Sequence, residues 1–352
     1  MKALVVDQAG QLSVDDLPMP QIGPYQALTR TVSCGVCAGT DSKLIHGHFK
    51  GHSLYPAALG HEAIGEVIEV GAKVTSFRPG DLVTLPFLYE AVDGVYPAWG
   101  SFAEFGVIGD AAALAADGIG QEDPRFDQTY LAQKVLQPGD KVTPQAAAMI
   151  VTLREVYSAA LHFGMAPGQS AVVFGAGPVG LSFTRFAALI GLEHVLTIDI
   201  DATKLAEATA AGATHVLDST QADPVAWVRS LVPEGVDYVV DAVGLTPLLN
   251  QGMGMIKDRG KLCAYGISPQ TSGEIDWSAA DYNWTLQFQQ MPRKAEEGAV
   301  HAQIMDWINA GVLDVDAFIS HYFDFDHILD AFALVAERRP GTKKIIITYP
   351  QP

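Results

Sequence analysis

A thiol, an imidazole and a carboxylate lie within a short stretch near the beginning of the sequence. Cys37 follows Cys34 in the segment CGVC, and the pair His61-Glu62 begins 24 positions after Cys37 (61 − 37 = 24). Zinc accepts all three ligand types, and a catalytic zinc uses about three protein ligands with one open position. A structural zinc site would need a second cysteine pair, which a chain with three cysteines lacks. The pattern favours a catalytic metal site, and the alternative for His61-Glu62 is an ordinary polar turn.

A glycine-rich turn indicates a nucleotide site. The run Gly175-Ala-Gly177-Pro178-Val179-Gly180 matches G-x-G-x-x-G, follows the apolar strand AVVF and opens a helix. The first glycine permits a tight turn, the second lets a pyrophosphate approach the backbone, and the third allows close packing of helix on strand. The helix N-terminus offers free N–H groups to phosphates. We predict a dinucleotide site, the alternative being a glycine turn without a ligand.

An acidic residue near this turn indicates which coenzyme is bound. Asp199 ends the next predicted strand, 24 positions after Gly175 (199 − 175 = 24). An acid about 20 residues after the first glycine binds the adenosine ribose hydroxyls of NAD. A carboxylate there would repel a 2′-phosphate, and no arginine follows it, so we predict NAD rather than NADP. The alternative is an aspartate that caps the following helix.

The elements that position these residues indicate an α/β protein. Residues 1 to about 110 contain short strands and many glycine and proline turns, typical of a β-rich domain. A helix is predicted from Pro144 to Gly164, and apolar strands then alternate with helices, one of them from Gly180 to Ile190. This alternation predicts a parallel sheet covered on both faces. We predict a catalytic domain over residues 1–152, a nucleotide-binding domain over 153–290, and a return to the catalytic domain over 291–352.

Composition excludes several classes of function. The net charge of −18 disfavours nucleic acid and anionic membranes as partners, because both are polyanions. The first residues, MKALVVDQAG, lack the features of a signal peptide, and we expect a cytoplasmic protein. Cys34 and Cys263 are interpreted as packed core thiols.

The ordered set of motifs resembles the zinc-containing medium-chain dehydrogenase/reductase family, which includes alcohol, sorbitol, threonine and glucose dehydrogenases. The segments that carry the resemblance are GVCAGTD around Cys37, GHEAIGEV around His61, WGSFAEF from Trp99, the run Gly175 to Gly180, and Asp199 with Lys204. The resemblance implies a GroES-like catalytic domain and a Rossmann domain. It also implies a homodimer or homotetramer.

The resemblance also implies roles for individual residues. It gives Cys37 and His61 as ligands of one catalytic zinc per chain, without a structural zinc. Glu62 becomes a third or exchangeable ligand. The remaining roles are a carboxylate that orients the histidine (Asp41), a hydroxyl that takes the substrate proton (Thr40), a residue near the adenosine ribose (Lys204) and a cation for the pyrophosphate (Lys344).

The sequence departs from the family pattern around the metal and the proton relay. One residue is inserted between Cys37 and Thr40. The position of the usual third ligand falls on Val151 or Thr152, which are poor ligands, and Glu155 is the nearest carboxylate on that helix. Lys43 occupies the place of a relay histidine, with His46 and His48 nearby. We keep Glu155 as a candidate metal ligand and Lys43 as a candidate relay residue.

The expected reaction is hydride transfer between a secondary alcohol, polyol or sugar and NAD, assisted by zinc. A set of metal ligands that includes a carboxylate resembles the ligand sets of the polyol and sugar branches of the family. Tyr89, Trp99 and Trp284 are candidates to line the substrate pocket, although buried aromatic residues usually belong to the core. The alternatives are a zinc-free enone or quinone reductase of the same superfamily and a non-catalytic NAD-binding protein.

Overall fold

The computed structural model describes residues 1–120, 122–124, 126, 133–268, 270–337, 339 and 341–350. The chain divides into two compact units, the first made of Met1–Thr152 with His301–Pro352 and the second of Leu153–Val300. None of the described helices is long and apolar enough to cross a lipid bilayer.

The helices and strands follow one another along the chain with these bounds: β1 (Lys2–Val6), β2 (Leu12–Asp16), β3 (Gln26–Val36), α1 (Ala38–Ile45), β4 (Ala57–Ala58), β5 (Glu62–Val70), β6 (Leu82–Thr84), β7 (Tyr96–Pro97), β8 (Phe105–Gly109), α2 (Ala111–Ala116), α3 (Ala148–Phe163), β9 (Ser170–Phe174), α4 (Pro178–Ile190), β10 (His194–Asp199), α5 (Ala202–Ala211), β11 (His215–Asp218), α6 (Pro224–Leu231), β12 (Val236–Asp241), α7 (Thr246–Met253), β13 (Ile256–Ala264), β14 (Thr285–Phe288), α8 (Lys294–Ala299), α9 (His301–Asn309), β15 (Ile319–Asp324), α10 (Ile328–Glu337) and β16 (Lys344–Thr348).

The first unit is organised around the long strand β3. One sheet has the order β2-β1-β4-β7, and the other has the order β15-β16-β3-β5-β6 with β8 also paired to β3. The register places Gly35 of β3 opposite Glu62 of β5 on one side and opposite Ile346 of β16 on the other. This pairing brings residues from the beginning, the middle and the end of the unit to one place in the sheet.

The second unit contains a six-stranded parallel sheet. Its strand order, β11-β10-β9-β12-β13-β14, is the 3-2-1-4-5-6 order of dinucleotide-binding folds. The strands are nearly continuous apolar runs, as in β9, where all five residues are buried. The predicted doubly wound parallel sheet, and with it the α/β fold class, is confirmed.

Three predicted boundaries differ from the observed ones. The helix expected at Pro144 begins at Ala148, and a turn precedes it in which the Thr143 hydroxyl accepts a hydrogen bond from the Ala146 N–H at 3.1 Å. The helix expected at Gly180 begins at Pro178, since proline at the first helical position gives up an N–H that would be unbonded there.

The third difference concerns residues 291–300. The sequence pattern predicts that they belong to the catalytic domain, but in the structure they lie in the second unit. Two contacts attach this segment to α3. Arg154 Nε donates a hydrogen bond to the Glu297 carbonyl at 3.1 Å, and Lys294 Nζ lies 3.5 Å from Glu155 Oε1.

Candidate metal centre and dinucleotide turn

Strands β3 and β5 bring three potential metal ligands together. Cys37 directly follows β3 and precedes α1, His61 directly precedes β5, and Glu62 is its first residue. Ligand atoms of these three residues all lie within 4.8 Å of one another. Residues that are 24 positions apart in the sequence (61 − 37 = 24) therefore converge because their strands are hydrogen-bonded neighbours.

A buried carboxylate, Asp41, lies beside the histidine. Its Oδ1 lies 3.6 Å from His61 Nδ1, and its Oδ2 accepts a hydrogen bond from the Cys37 N–H at 2.9 Å. Asp41 Oδ1 and His61 Nδ1 are buried and have no hydrogen-bond partner among the described residues. Because Nδ1 faces Asp41, Nε2 is the nitrogen left for a metal, as is usual when a carboxylate orients a histidine ligand.

The charges around His61 suit a cation. Burial lowers the pKa of His61, but the neighbouring Asp41 and Cys37 raise it by more, and the pKa is well above its ordinary value. The same groups would stabilise a metal ion in place of the proton. One thiolate, one imidazole and one carboxylate form a donor set that fits zinc.

Glu62 is also part of a buried ion pair. Its Oε2 accepts a hydrogen bond from Lys344 Nζ at 2.6 Å, and the two side chains are 2% and 3% exposed. A Cβ atom at Gly35 would lie 2.5 Å from the same Glu62 oxygen, so the pair needs a glycine on the neighbouring strand. The structure does not support the pyrophosphate role predicted for Lys344, because its ammonium is buried against Glu62.

Glu155 does not join the metal ligands. It is not among the described residues whose ligand atoms converge. Its carboxylate belongs to a charged cluster of the second unit, where Lys294 Nζ lies 3.5 Å from Glu155 and 2.8 Å from Glu297 Oε1. The prediction of Glu155 as a metal ligand is therefore corrected, with the physical reason that lysine already neutralises it.

The predicted relay residues lie one turn apart on α1. Thr40 is 7% exposed, and Lys43 donates a hydrogen bond through Nζ to the Gly39 carbonyl at 2.8 Å. Burial lowers the pKa of Lys43, while the nearby Cys37 raises it by a smaller amount. Residues three apart on a helix share a face. The relay itself stays a prediction.

An aromatic side chain packs on His61, the candidate metal ligand. The indole ring of Trp99 lies 5.0 Å from the His61 ring and 5.7 Å from the Phe49 ring, measured between centroids. Trp99 was a candidate for the substrate pocket, but its contact with His61 was not predicted, since nothing in the spacing of the two residues indicates it.

The three glycines of the turn after β9 have different environments. Gly175 has a φ of +95°, and a Cβ atom at Gly180 would lie 1.8 Å from the Gly175 carbonyl oxygen. A Cβ atom at Gly177 would meet nothing within 4 Å. Gly177 caps α4 without a side-chain hydrogen bond, and Pro178 and Val179 begin the helix. The open space at Gly177 and the uncapped N–H groups fit a pyrophosphate.

Asp199 lies beside this turn. Its Oδ2 accepts a hydrogen bond from the Ala176 N–H at 2.6 Å, and its Oδ1 accepts one from the Asp201 N–H at 2.9 Å. Lys204 is on the following helix, with Nζ 4.0 Å from Asp201 Oδ2. The structure thus brings Asp199 to the glycine turn, where the ribose of a dinucleotide would be bound.

Comparisons with known proteins agree with this arrangement. The family model described as "Alcohol dehydrogenase GroES-like domain" matches residues 23–117, and "Zinc-binding dehydrogenase" matches residues 178–287. An alcohol dehydrogenase of Cupriavidus necator is 29% identical over 369 aligned positions, covering 99% of this chain and 98% of the relative. A sorbitol dehydrogenase of Gallus gallus is 28% identical over 274 positions, covering 76% of each chain.

Solved structures share the fold. An alcohol dehydrogenase from Thermus sp. ATN1 superposes with a TM-score of 0.79 at 24% identity, covering 99% of this chain and 100% of that chain. The resemblance seen in the sequence is confirmed. With both halves matched by family models and relatives aligned along its whole length, the chain belongs to the zinc-containing medium-chain dehydrogenase family.

Proposed function

We propose that this protein is an NAD-dependent, zinc-assisted dehydrogenase of polyols, sugars or related secondary alcohols. The observation that carries the proposal is the convergence of a thiol, an imidazole and a carboxylate within 4.8 Å at one point of the first unit. Relatives named alcohol dehydrogenase and sorbitol dehydrogenase support the reaction class. A cytoplasmic location and a homodimeric or homotetrameric assembly remain predictions from the sequence.

The residues of the metal centre have distinct roles in this reaction. Cys37, His61 and Glu62 would hold the zinc, and Asp41, 3.6 Å from His61 Nδ1, would orient the imidazole ring. When bound, zinc supplies a Lewis acid that lowers the pKa of a substrate hydroxyl. Thr40 accepts the hydroxyl proton and passes it towards Lys43, whose pKa is lowered by burial, and then to water. When bound, NAD would supply the acceptor for the hydride of the alcohol carbon.

The choice of NAD rests on Asp199. Its carboxylate lies at the glycine turn and would repel the 2′-phosphate of NADP. The sequence Asp199-Ile200-Asp201, which begins at the last residue of β10, provides no arginine to bind that phosphate. Coenzyme preference is measured by comparing kcat/KM for the two dinucleotides.

The substrate class rests on the carboxylate in the donor set. Glu62 would be an oxygen ligand of the metal. If its carboxylate left the metal, it would still be bound by Lys344. A ligand that exchanges leaves space for a substrate that chelates zinc through two neighbouring hydroxyl oxygens. A polyol or sugar has that pair of oxygens, and a simple alcohol does not.

Removal of a metal ligand tests the proposal. Cys37→Ser and His61→Ala should each lower kcat by roughly a thousandfold, because Lewis-acid stabilisation is worth several kcal/mol. Both variants should lose zinc and keep the affinity for NAD, measured by metal analysis and calorimetry. Cys263→Ala, which removes a buried thiol of the second unit, is the matched control. A fully active protein without zinc would refute the proposal and favour a zinc-free reductase.

A further inference from the structure

Trp99 has a backbone conformation that bulky residues rarely adopt. Its φ is +65°, and that of the following Gly100 is +79°. A positive φ costs little for glycine, but it is strained for a residue with a large side chain, and it persists only where the surroundings impose it. Strained residues of this kind cluster at functional sites, so the position of the indole needs an explanation.

The strained backbone places the indole against a metal ligand. The Trp99 and His61 rings are 5.0 Å apart and tilted by 46°, and the Phe49 ring meets the indole edge at 5.7 Å and 78°. Phe49 and Trp99 are partly buried and pack against the core of the first unit without being enclosed by it. The indole is therefore partly accessible while it lies against the candidate ligand His61.

We infer that Trp99 is a specificity-determining residue that stacks on the C–H face of a cyclic polyol or sugar while the metal centre takes its hydroxyl. This inference rests on the proposed function. The ring of such a substrate has a face of polarised C–H groups, which the negative face of an aromatic ring attracts. A small open-chain alcohol has no such face.

The donor set beside the indole favours a cyclic polyol over an aromatic alcohol. Cys37, His61 and Glu62 have ligand atoms within 4.8 Å of one another, and the Trp99 ring lies 5.0 Å from the His61 ring. A metal held by these residues could bind two neighbouring hydroxyl oxygens of a cyclic polyol, whereas benzyl alcohol offers one hydroxyl.

Two substitutions of Trp99 distinguish the effect of the indole ring from the effect of the strained backbone. Trp99→Asn removes the ring and tolerates the positive φ, while Trp99→Phe keeps an aromatic ring. Asp93→Gly, at an exposed residue with a φ of +50°, is the control for relieved strain. Trp277→Phe, at a residue that is 65% exposed, is the control for loss of a tryptophan.

The substrates are myo-inositol, 2-propanol and benzyl alcohol, with NAD and zinc-loaded protein. For Trp99→Asn we expect KM for myo-inositol to rise about fivefold, with kcat retained, because one aromatic contact is worth about 1 kcal/mol. KM for 2-propanol should not change, Trp99→Phe should be intermediate, and both controls should match the wild type. An unchanged KM for myo-inositol, an equal rise for 2-propanol, or a rise confined to benzyl alcohol would overturn the inference.

A binding measurement separates this inference from the proposed function. Titration of zinc-loaded protein with myo-inositol in the absence of NAD should change tryptophan fluorescence in the wild type and in Trp277→Phe, but not in Trp99→Phe. The same result in a protein that oxidises no alcohol would refute the proposed function and support the stacking. Binding of myo-inositol without a fluorescence change in the wild type would refute the stacking, whatever the activity.

Discussion

Gly35 provides the space in which Glu62 and Lys344 meet. A Cβ atom there would lie 2.5 Å from Glu62 Oε2 and 3.4 Å from Lys344 Cδ. Gly35→Ala should therefore displace the Glu62 carboxylate and lower zinc affinity by about 10- to 100-fold, the range seen when groups around a metal ligand are disturbed. Competition with a chromophoric chelator measures the affinity.

The matched control for this substitution is Gly39→Ala. A Cβ atom at Gly39, on α1, meets nothing within 4 Å, and alanine favours a helix more than glycine does. This variant should bind zinc as the wild type does. Equal zinc affinity in the Gly35→Ala and Gly39→Ala variants would show that the position of Glu62 is unimportant for the metal.

Lys344 neutralises a carboxylate that has almost no contact with solvent. Lys344→Met would leave Glu62, 2% exposed, as an unpaired buried charge. We expect the zinc-free protein to lose about 3–5 kcal/mol of unfolding free energy, measured in urea. The double variant Glu62→Gln, Lys344→Met should recover much of the loss, and added zinc should recover part of it in the single variant. No loss in the single variant would contradict the pairing.

Residue types identified the metal ligands more reliably than their partners. Cys37, His61 and Glu62 could be recognised because their chemistry is specific and they belong to short motifs. The ion pair between Glu62 and Lys344 could not be predicted, since it joins residues 282 positions apart through the register of three strands. The assignment of Glu155 was wrong for a related reason, because the lysine that pairs with it is 139 positions away.

In the turn between β9 and α4, one glycine is needed for packing and another leaves space for a ligand. A Cβ atom at Gly180 would lie 1.8 Å from the Gly175 carbonyl oxygen, whereas one at Gly177 would meet nothing within 4 Å. Gly180→Ala should cost about 1–3 kcal/mol or more through overpacking, while Gly177→Ala should leave the unfolding free energy nearly unchanged. NAD affinity, measured by calorimetry, should fall in Gly177→Ala. Unchanged NAD affinity would show that the space is not used by the dinucleotide.

The short helix α8 carries a titratable group with a predictable effect on stability. Burial and the neighbouring Glu155 raise the pKa of Glu297 from 4.5 to about 7, and Lys294 only partly offsets their effect. Between these values the folded chain holds a proton that the unfolded chain has lost, so stability falls as pH rises from 4.5 to 7, by about 3 kcal/mol.

Glu297→Gln should remove this dependence, because an amide does not ionise. Urea unfolding at several pH values between 4.5 and 8 measures the slope. Glu296→Gln, at a neighbouring carboxylate that is 35% exposed, is the control and should keep the slope of the wild type. A wild-type slope in Glu297→Gln would assign the pH dependence to other groups.

Long periodic elements could be predicted from the sequence, and short ones could not. The strands and helices from β9 to β13 follow from the alternation of apolar strands with helices, which is a local signal. Strands β4 and β7 have two residues each and exist only through their pairing with each other and with β1. The glycine motif predicts that α4 begins at Gly180, but the helix begins two residues earlier, at Pro178, and Gly180 is an internal helical residue.

At the scale of the whole molecule, the two chemical functions reside in different units. The candidate metal ligands belong to Met1–Thr152, and the glycine turn with Asp199 belongs to Leu153–Val300. A ligand at 100 times its Kd stabilises the unit that binds it by about 2.7 kcal/mol. Removal of zinc with a chelator should therefore speed hydrogen exchange in β3, β5 and α1, while NAD should slow it in β9 and α4. Equal effects of the chelator on both sets of peptides would contradict this assignment.

The pairing of β16 with β3 has a consequence for biosynthesis. While the ribosome is still translating, residues 153–300 can emerge complete and fold, but β3 lacks one of its neighbours until residues 344–348 have left the exit tunnel. Lys344 is the first residue of that last strand, so Glu62 has no cation beside it in the nascent chain. The first unit, although most of it is translated first, is therefore completed last, because the pair of Glu62 with Lys344 forms only after residues 153–300 have been made.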